Sequence, residues 1–281
     1  MTAGWLELRG ATPARIGLGR SGAALPTAAL LDFQLAHARA RDAVHAALDA
    51  AGIVAELSGL GLQALHLRSQ APDRPTYLRR PDLGRRLDEE SRETLRCQAG
   101  EGGNPLGHRA SKESVVPGLR RDDKTTQGAA RTPVIAFVIA DGLSATAVNA
   151  HAVKLIAAAL PKLGTARIAP VAVVEGGRVA IGDEIGGLLG ADLAVVLIGE
   201  RPGLSAADSL GAYLTWQPAP GATDAARNCL SNIRSEGLPI PAAAETLVGL
   251  MASARRHRMT GVALSQRLAN PGAITAKGEA G

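Results

Sequence analysis

A chain of 281 residues has room for one large domain or two modest ones and can bury a core without disulfide staples. With only two residues each of Phe, Tyr and Trp the core has to be aliphatic, and a formal charge of +5 without stacking aromatics argues against a nucleic-acid binder. Cys97 and Cys229 make neither a disulfide framework nor a metal cluster, no cleavable apolar leader precedes Trp5, and no apolar run is long enough for a bilayer, so a cytoplasmic protein away from membranes is expected.

The first motif is GLGRSG, Gly17 to Gly22, which fits the GxGxxG pattern of dinucleotide loops. That loop works only between a strand and a helix, so that helix amides face a pyrophosphate. Here the upstream LRGATPARI is short and broken by Gly10 and Pro13, which favours a docking arm over a nucleotide cradle. From Pro26 to Ala51 the helical spacing of Leu30, Leu31, Phe33, Leu35, Val44, Ala47 and Leu48 predicts one helix, with Thr27 as N-cap and Gly52 as stop. Pro72, Pro75 and Pro81 predict an irregular loop over 69–81, and Asp82 is a candidate cap for a helix from Leu83 to Leu95. Residues 98–131 are rich in Gly and charge and lack a periodic apolar face, so they read as a polar, exposed insert.

The second half alternates strand and helix signals. VIAFVIA, Val134 to Ala140, is a continuous apolar run as expected of a strand buried on both faces. Ser144 can cap the helix that follows, which stops near Pro161 to Gly164. A strand at Ala172 to Glu175, a Gly176-Gly177 turn, a short run from Arg178 to Ile181, a helix around Asp183 to Leu189 and a strand at Leu193 to Ile198 come next. Ala212 to Trp216 is a further strand, and Pro241 to Arg258 a terminal helix with arginines at its negative end. The pattern predicts an α/β fold, an open and mostly parallel sheet flanked by helices and preceded by a helical N-terminal region. The expected divisions are 1–97, 98–131, 132–270 and a tail at 271–281.

In such sheets ligands bind beyond the carboxyl ends of the strands. Those ends are ADGLSA, VEGGRV and GERPGLS, and their glycines together favour a cleft. Asp141, Glu200 and Asp208 lie nearby, yet there is no paired histidine, nucleophile elbow or metal-spaced cluster. His151 reads as a partly buried helix residue, and Cys229 as a packing or ligand-contact residue. A binding cleft without an acid/base set points to a subunit that holds a cofactor.

RIGLGRSG, LDFQLAHARARDAVH, ADGLSA, VAIGDEIG, LIGERPGLSAADSLGAYLT, ARNCLSNI and GLPIPAAAETL together closely resemble the small subunits of ethanolamine ammonia-lyase. The resemblance implies a Rossmann-like domain and an adenosylcobalamin-dependent radical elimination that converts ethanolamine to acetaldehyde and ammonia. It implies a large-subunit partner carrying the substrate site in a TIM barrel, several large-small pairs in a hetero-oligomer and, in many bacteria, a microcompartment. By motif, the cobalamin-contacting positions fall on Val179, Glu200 and Cys229, with no catalytic residue and no protein metal ligand in this chain. No histidine stands in a DxHxxG pattern, so the resemblance implies that the cofactor keeps its own lower axial base. The insert near 98–131 is longer than the family's link at that place. The competing readings are a nucleotide-binding α/β oxidoreductase and a basic binding module; the first requires a strand before GLGRSG and an acidic ribose ligand.

Overall fold

The computed structural model describes residues 3–12, 14–101 and 132–270. The expected polar insert falls outside the described residues except for 98–101, which end a helix, and the expected tail falls outside them entirely. Among the described residues one seven-stranded sheet forms the centre. Its strands are β1 (Ala64–Arg68), β2 (Val134–Ala140), β3 (Arg167–Ile168), β4 (Val171–Glu175), β5 (Leu193–Gly199), β6 (Leu210–Trp216) and β7 (Arg227–Ile233). The order is β1-β4-β2-β5-β6-β7, with the short β3 beside the start of β2. β1, β4, β2 and β5 are parallel, while β6 runs antiparallel to both β5 and β7. The sheet is therefore open and mixed, parallel over most of its width. The helices are α1 (Ala3–Gly10), α2 (Thr27–His45), α3 (Ala50–Gly59), α4 (Arg74–Arg79), α5 (Glu89–Glu101), α6 (Ala145–Ala159), α7 (Ile181–Leu188), α8 (Ile240–His257) and α9 (Val262–Ala269).

Strand alternation sorts the core into two layers. Ile135, Phe137 and Ile139 of β2 and Val195 and Leu197 of β5 pack on Val148, Leu155 and Ile156 of α6 and on Leu247 and Met251 of α8. The intervening Val138, Ala140, Ala172, Val174, Val196 and Ile198 face Ile181 and Ile185 of α7. Each of the larger buried side chains contributes about 1.5–3 kcal/mol. α7 approaches the sheet closely because Gly182 faces it; a Cβ there would lie 2.2 Å from Val196 Cγ2.

Several boundaries differ from expectation for local reasons. The helix expected over Pro26–Ala51 is two helices. Asn149 of α6 accepts from the Asp49 amide and donates to the Ala47 carbonyl, and Asp49 caps α3 by accepting from Gly52 N at 2.9 Å. That tertiary capture ends α2 at His45 and places Gly52 in the first turn of α3 rather than at a stop; Thr27 opens α2 without any side-chain cap at Pro26. The loop expected over 69–81 contains α4, capped by Asp73, with Pro75 tolerated in its first turn. The helix expected from Leu83 is only a 3-10 turn, Leu83–Arg85, and Asp82 makes no capping bond; α5 begins at Glu89, with Asp88 accepting from Ser91 N. Arg178 to Ile181 is a turn entering α7, because Ile181 N and Gly182 N already bond back to Arg178 O and Val179 O. β1, β7, α1 and α9 lie beyond these expectations; β1 and β7 mix polar and apolar residues, and pairing with β4 and β6 decides their conformation.

Candidate functional site

At the β6–β7 edge the two faces of the sheet differ. Ala212 and Leu214 of β6 and Ile233 of β7 are buried against α8 and its surroundings, on the α6 side. On the other side α7 reaches only the start of β7. There Arg227 makes a two-pronged ion pair with Asp183, 2.6 and 2.7 Å, and also donates to Thr215 Oγ1 and the Ala222 carbonyl. Both charged side chains are 2% exposed, so the pair fastens the first turn of α7 to the sheet. Beyond it the face opens: Tyr213 is half-buried, and Cys229 and Ser231 are exposed.

ARNCLSNI divides its work residue by residue. Arg227 holds α7, and Asn228 points the other way to the entry of α9, donating to the Gly261 carbonyl and accepting from Gly261 N. Cys229 then emerges on the open face, its sulfur 3.2 Å from Ser231 Oγ. A bulge follows: the register slips between the Leu210 and Ala212 pairings, and Asn232 sits at φ 59°. The extra residue returns Ile233 to the core while Asn232 N donates to Glu200 Oε2.

The three residues expected to contact cobalamin lie on this same side of the sheet. Glu200 directly follows β5 in the Val196, Ile198 series; its carboxylate accepts from Ser209 Oγ and Asn232 N. Cys229 pairs across to Tyr213, which pairs with Val196. Val179 packs at the entry of α7 against the cluster that Tyr213 also touches. Gly211 keeps the surface low, since a Cβ there would meet Glu200 Oε1 at 3.1 Å and Tyr213 Cε2 at 3.2 Å. Val179 stands in a turn rather than in the sheet core, and Cys229 is exposed on its strand.

The sheet's other carboxyl ends are closed by chain. The expectation that their glycines line a ligand cleft holds only in part. A Cβ on Gly142 would be 2.3 Å from Gly199 O, and one on Gly199 2.0 Å from Ser144 O, so these two let the loops cross. Asp141 accepts from Gly177 N at 3.1 Å and faces Arg74 Nη1 at 3.3 Å; that guanidinium also donates to the Gly142 carbonyl. Burial pushes the Asp141 carboxyl up to about 6, although Arg74 and neighbouring glycine amides pull it down. Tyr77 is clamped between the guanidinium groups of Arg74 and Arg178, 4.9 and 4.3 Å from its ring centre. Burial pushes its phenol up to about 12. Outside this cluster a cleft of about 540 Å³ is lined by His45, Asp73, Arg74, Asp141 and Glu175 among others. Of this network only Asp141 is expected, as a carboxylate at a strand end; Arg74, Tyr77 and Arg178 are scattered in sequence and carry no local signal.

His151 of α6 is mostly buried, as expected of a helix residue, with Nε2 3.4 Å from Asp208. GLGRSG follows α1 without an intervening strand and lies along α2, where the Arg15 guanidinium is 5.8 Å from the Phe33 ring centre. Among the described residues no group of three or more His, Cys, Asp or Glu is placed to hold a metal, and no helix is long and apolar enough to cross a membrane.

The geometry defines an α/β chain whose sheet is uncovered on one side at the β6–β7 edge. Its sequence matches the family model of the ethanolamine ammonia-lyase light chain over residues 2–265. Three proteins described as ethanolamine ammonia-lyase small subunit agree. That of Bradyrhizobium diazoefficiens is 49% identical over 268 residues, 94% of this chain and 91% of the relative. That of Pseudomonas syringae pv. tomato is 49% identical over 263 residues, 92% and 82%, and that of Azotobacter vinelandii 50% over 262 residues, 92% and 87%. The chain belongs to the ethanolamine ammonia-lyase light-chain family and is the small-subunit component of a lyase.

Proposed function

We propose that this chain holds adenosylcobalamin on the open face of β6 and β7, opposite a large subunit that carries the ethanolamine site. The observation that supports this reading is that Glu200 and Cys229 lie on one face at the β5–β6–β7 edge, while Val179 packs on the same side of the sheet at the entry of α7. That face suits a corrin, a broad macrocycle fringed with amides: it offers apolar surface, hydrogen-bonding side chains and a floor kept low by Gly211. Bound there, adenosylcobalamin would supply the radical chemistry, and this chain would supply its seat. Val179 packs on apolar corrin surface, the Glu200 carboxylate accepts from peripheral amide N–H groups, and Cys229 presents its thiol to the same fringe. Covering by the large subunit excludes water from the interface.

The fold is then a Rossmann-like variant in which the antiparallel β6–β7 pair is the cofactor's platform; 132–270 carries that platform, while within 1–97 β1 completes the same sheet and the arm with α2 forms the docking region. α2 is suited to the large subunit. Only Ala43 of its residues is buried, while Leu30, Leu31, Phe33 and Leu35 are 41–57% exposed. Arg15 of the arm lies over Phe33 on this surface, and Arg15 and Arg20 are the arm's proposed contacts with the large subunit. Several large-small pairs would assemble in the cytoplasm, in some bacteria within a microcompartment.

Co-expression with a large subunit, followed by cobalamin titration and an acetaldehyde assay, tests the reading. Glu200→Gln and Cys229→Ala are expected to weaken cobalamin binding roughly 3- to 30-fold, as loss of a hydrogen bond or contact does. Leu31→Glu is expected to reduce co-purification. A pair that makes no cobalamin-dependent acetaldehyde would overturn the assignment.

A further inference from the structure

The open face has a centre that falls within the motif LIGERPGLSAADSLGAYLT but to which the sequence reading assigns no role. Tyr213 stands beside two of the three expected contact residues, across the ladder from Cys229 and next to Glu200 over Gly211, and packs against the same core cluster as Val179. Its neighbours along β6, Ala212 and Leu214, point into the core and are each 1% exposed, whereas Tyr213 turns to the open side. It is the largest side chain on that side of β6 and β7 left partly uncovered, in a chain with only two tyrosines.

We propose that Tyr213 is a further corrin-binding residue: its ring forms the floor between Val179, Glu200 and Cys229, and its hydroxyl donates to a carbonyl of the corrin's amide fringe. This inference rests on the open face being the cobalamin seat. A tyrosine meets both demands of such a ligand, with a rigid ring for apolar contact and a phenol at its tip. Burial, then the neighbouring Cys229 and Glu200, push the phenol's proton affinity up, so it remains a donor throughout the neutral range. Gly211 serves the same arrangement, because any side chain there would collide with the ring edge and the Glu200 carboxylate together.

The test uses the assembled large-small complex and follows binding of adenosylcobalamin and of hydroxocobalamin by the corrin absorbance. Tyr213→Phe should raise both dissociation constants about 2- to 10-fold, the effect of one lost hydrogen bond. Tyr213→Leu, which fills space without ring or hydroxyl, should raise them about 30-fold or more. Melting temperature and subunit stoichiometry are measured alongside; a change confined to these, with wild-type corrinoid affinity in both variants, overturns the role assigned to Tyr213. The parallel series Val179→Ala, Glu200→Gln and Cys229→Ala separates the two levels. If those three lose affinity while the Tyr213 variants do not, the seat stands and Tyr213 is excluded from it; if none loses affinity, the seat itself is elsewhere.

Discussion

The four parallel strands and the antiparallel pair β6–β7 belong to one sheet but are built differently. Every residue of β2 and of β5 is buried, because α6 and α8 cover one face and α7 the other. In β7 burial breaks down after Asn228: Cys229 is exposed, Leu230 half-buried, Ser231 and Asn232 exposed. The covered strands consequently read as continuous Val-, Ile- and Leu-rich runs, whereas RNCLSNI mixes polar and apolar residues. The polar side chains appear where a layer is missing, and the uncovered stretch is where a ligand can be held. The parallel half is the scaffold, and the antiparallel half presents the surface.

The joint between these halves should be the most sensitive point. Asp183 and Arg227 are both buried and face each other through two hydrogen bonds. Removing one partner strands a buried charge, so Asp183→Ala should destabilise the fold by about 3–5 kcal/mol in urea denaturation. Asp183→Leu combined with Arg227→Met should recover much of that loss, since the cost lies in the unpaired charge rather than in the absence of the pair. A loss under about 1 kcal/mol for the single variant would mean that α7 is held to the sheet by packing alone.

The closed carboxyl ends of β2 and β4 offer a test of intermediate size. Asp141 has a carboxyl at about 6 in the fold against 3.8 unperturbed, with burial as the main cause. The native state therefore binds its proton more tightly than the unfolded chain between these values. The sign follows: stability falls as pH rises from about 4 to about 6, by roughly 3 kcal/mol for a shift of about two units. Asp141→Asn should flatten that part of the stability profile relative to wild type. The difference profile isolates Asp141 from Arg74, Tyr77 and the other ionisable groups lining the cleft. A rise in wild-type stability over Asp141→Asn across the same window would show that Arg74 outweighs burial.

The contrast between the halves also explains what was visible in the sequence. β2, β4, β5, α6 and α8 stood out because burial on one or both faces imposes periodicity, and Ser144 signalled its helix by accepting from Ala147 N. β1 and β7 did not stand out: ALHLR and RNCLSNI owe their extended form to pairing with β4 and β6. The break at 46–49 was hidden because its cause, Asn149, is 100 residues from Asp49. Val179, Glu200 and Cys229 came from family motifs; the strand register puts Glu200 and Cys229 on one face, and packing at the entry of α7 puts Val179 on the same side. Asp183–Arg227 and Arg74–Asp141 were beyond reach for the same reason, since each joins side chains separated by tens of residues.

The smallest expected effect belongs to the residue at the middle of the open strand. Cys229 is exposed, and its sulfur contacts the hydroxyl of Ser231, another exposed residue. Cys229→Ala removes no core packing and leaves no buried group unsatisfied, so its stability should change by no more than about 0.5 kcal/mol. On the covered side of the neighbouring strand such tolerance is not expected: Leu214 is 1% exposed, and truncating a buried leucine to alanine costs about 2–5 kcal/mol. Measured by urea titration of this chain, a Cys229→Ala loss as large as 2 kcal/mol would mean that the face is covered within the subunit. A negligible change in stability together with weaker cobalamin binding in the complex would separate presentation from scaffold along a single strand. Arg227 fastens α7 to the sheet, and Cys229, two residues later on the same side, is exposed.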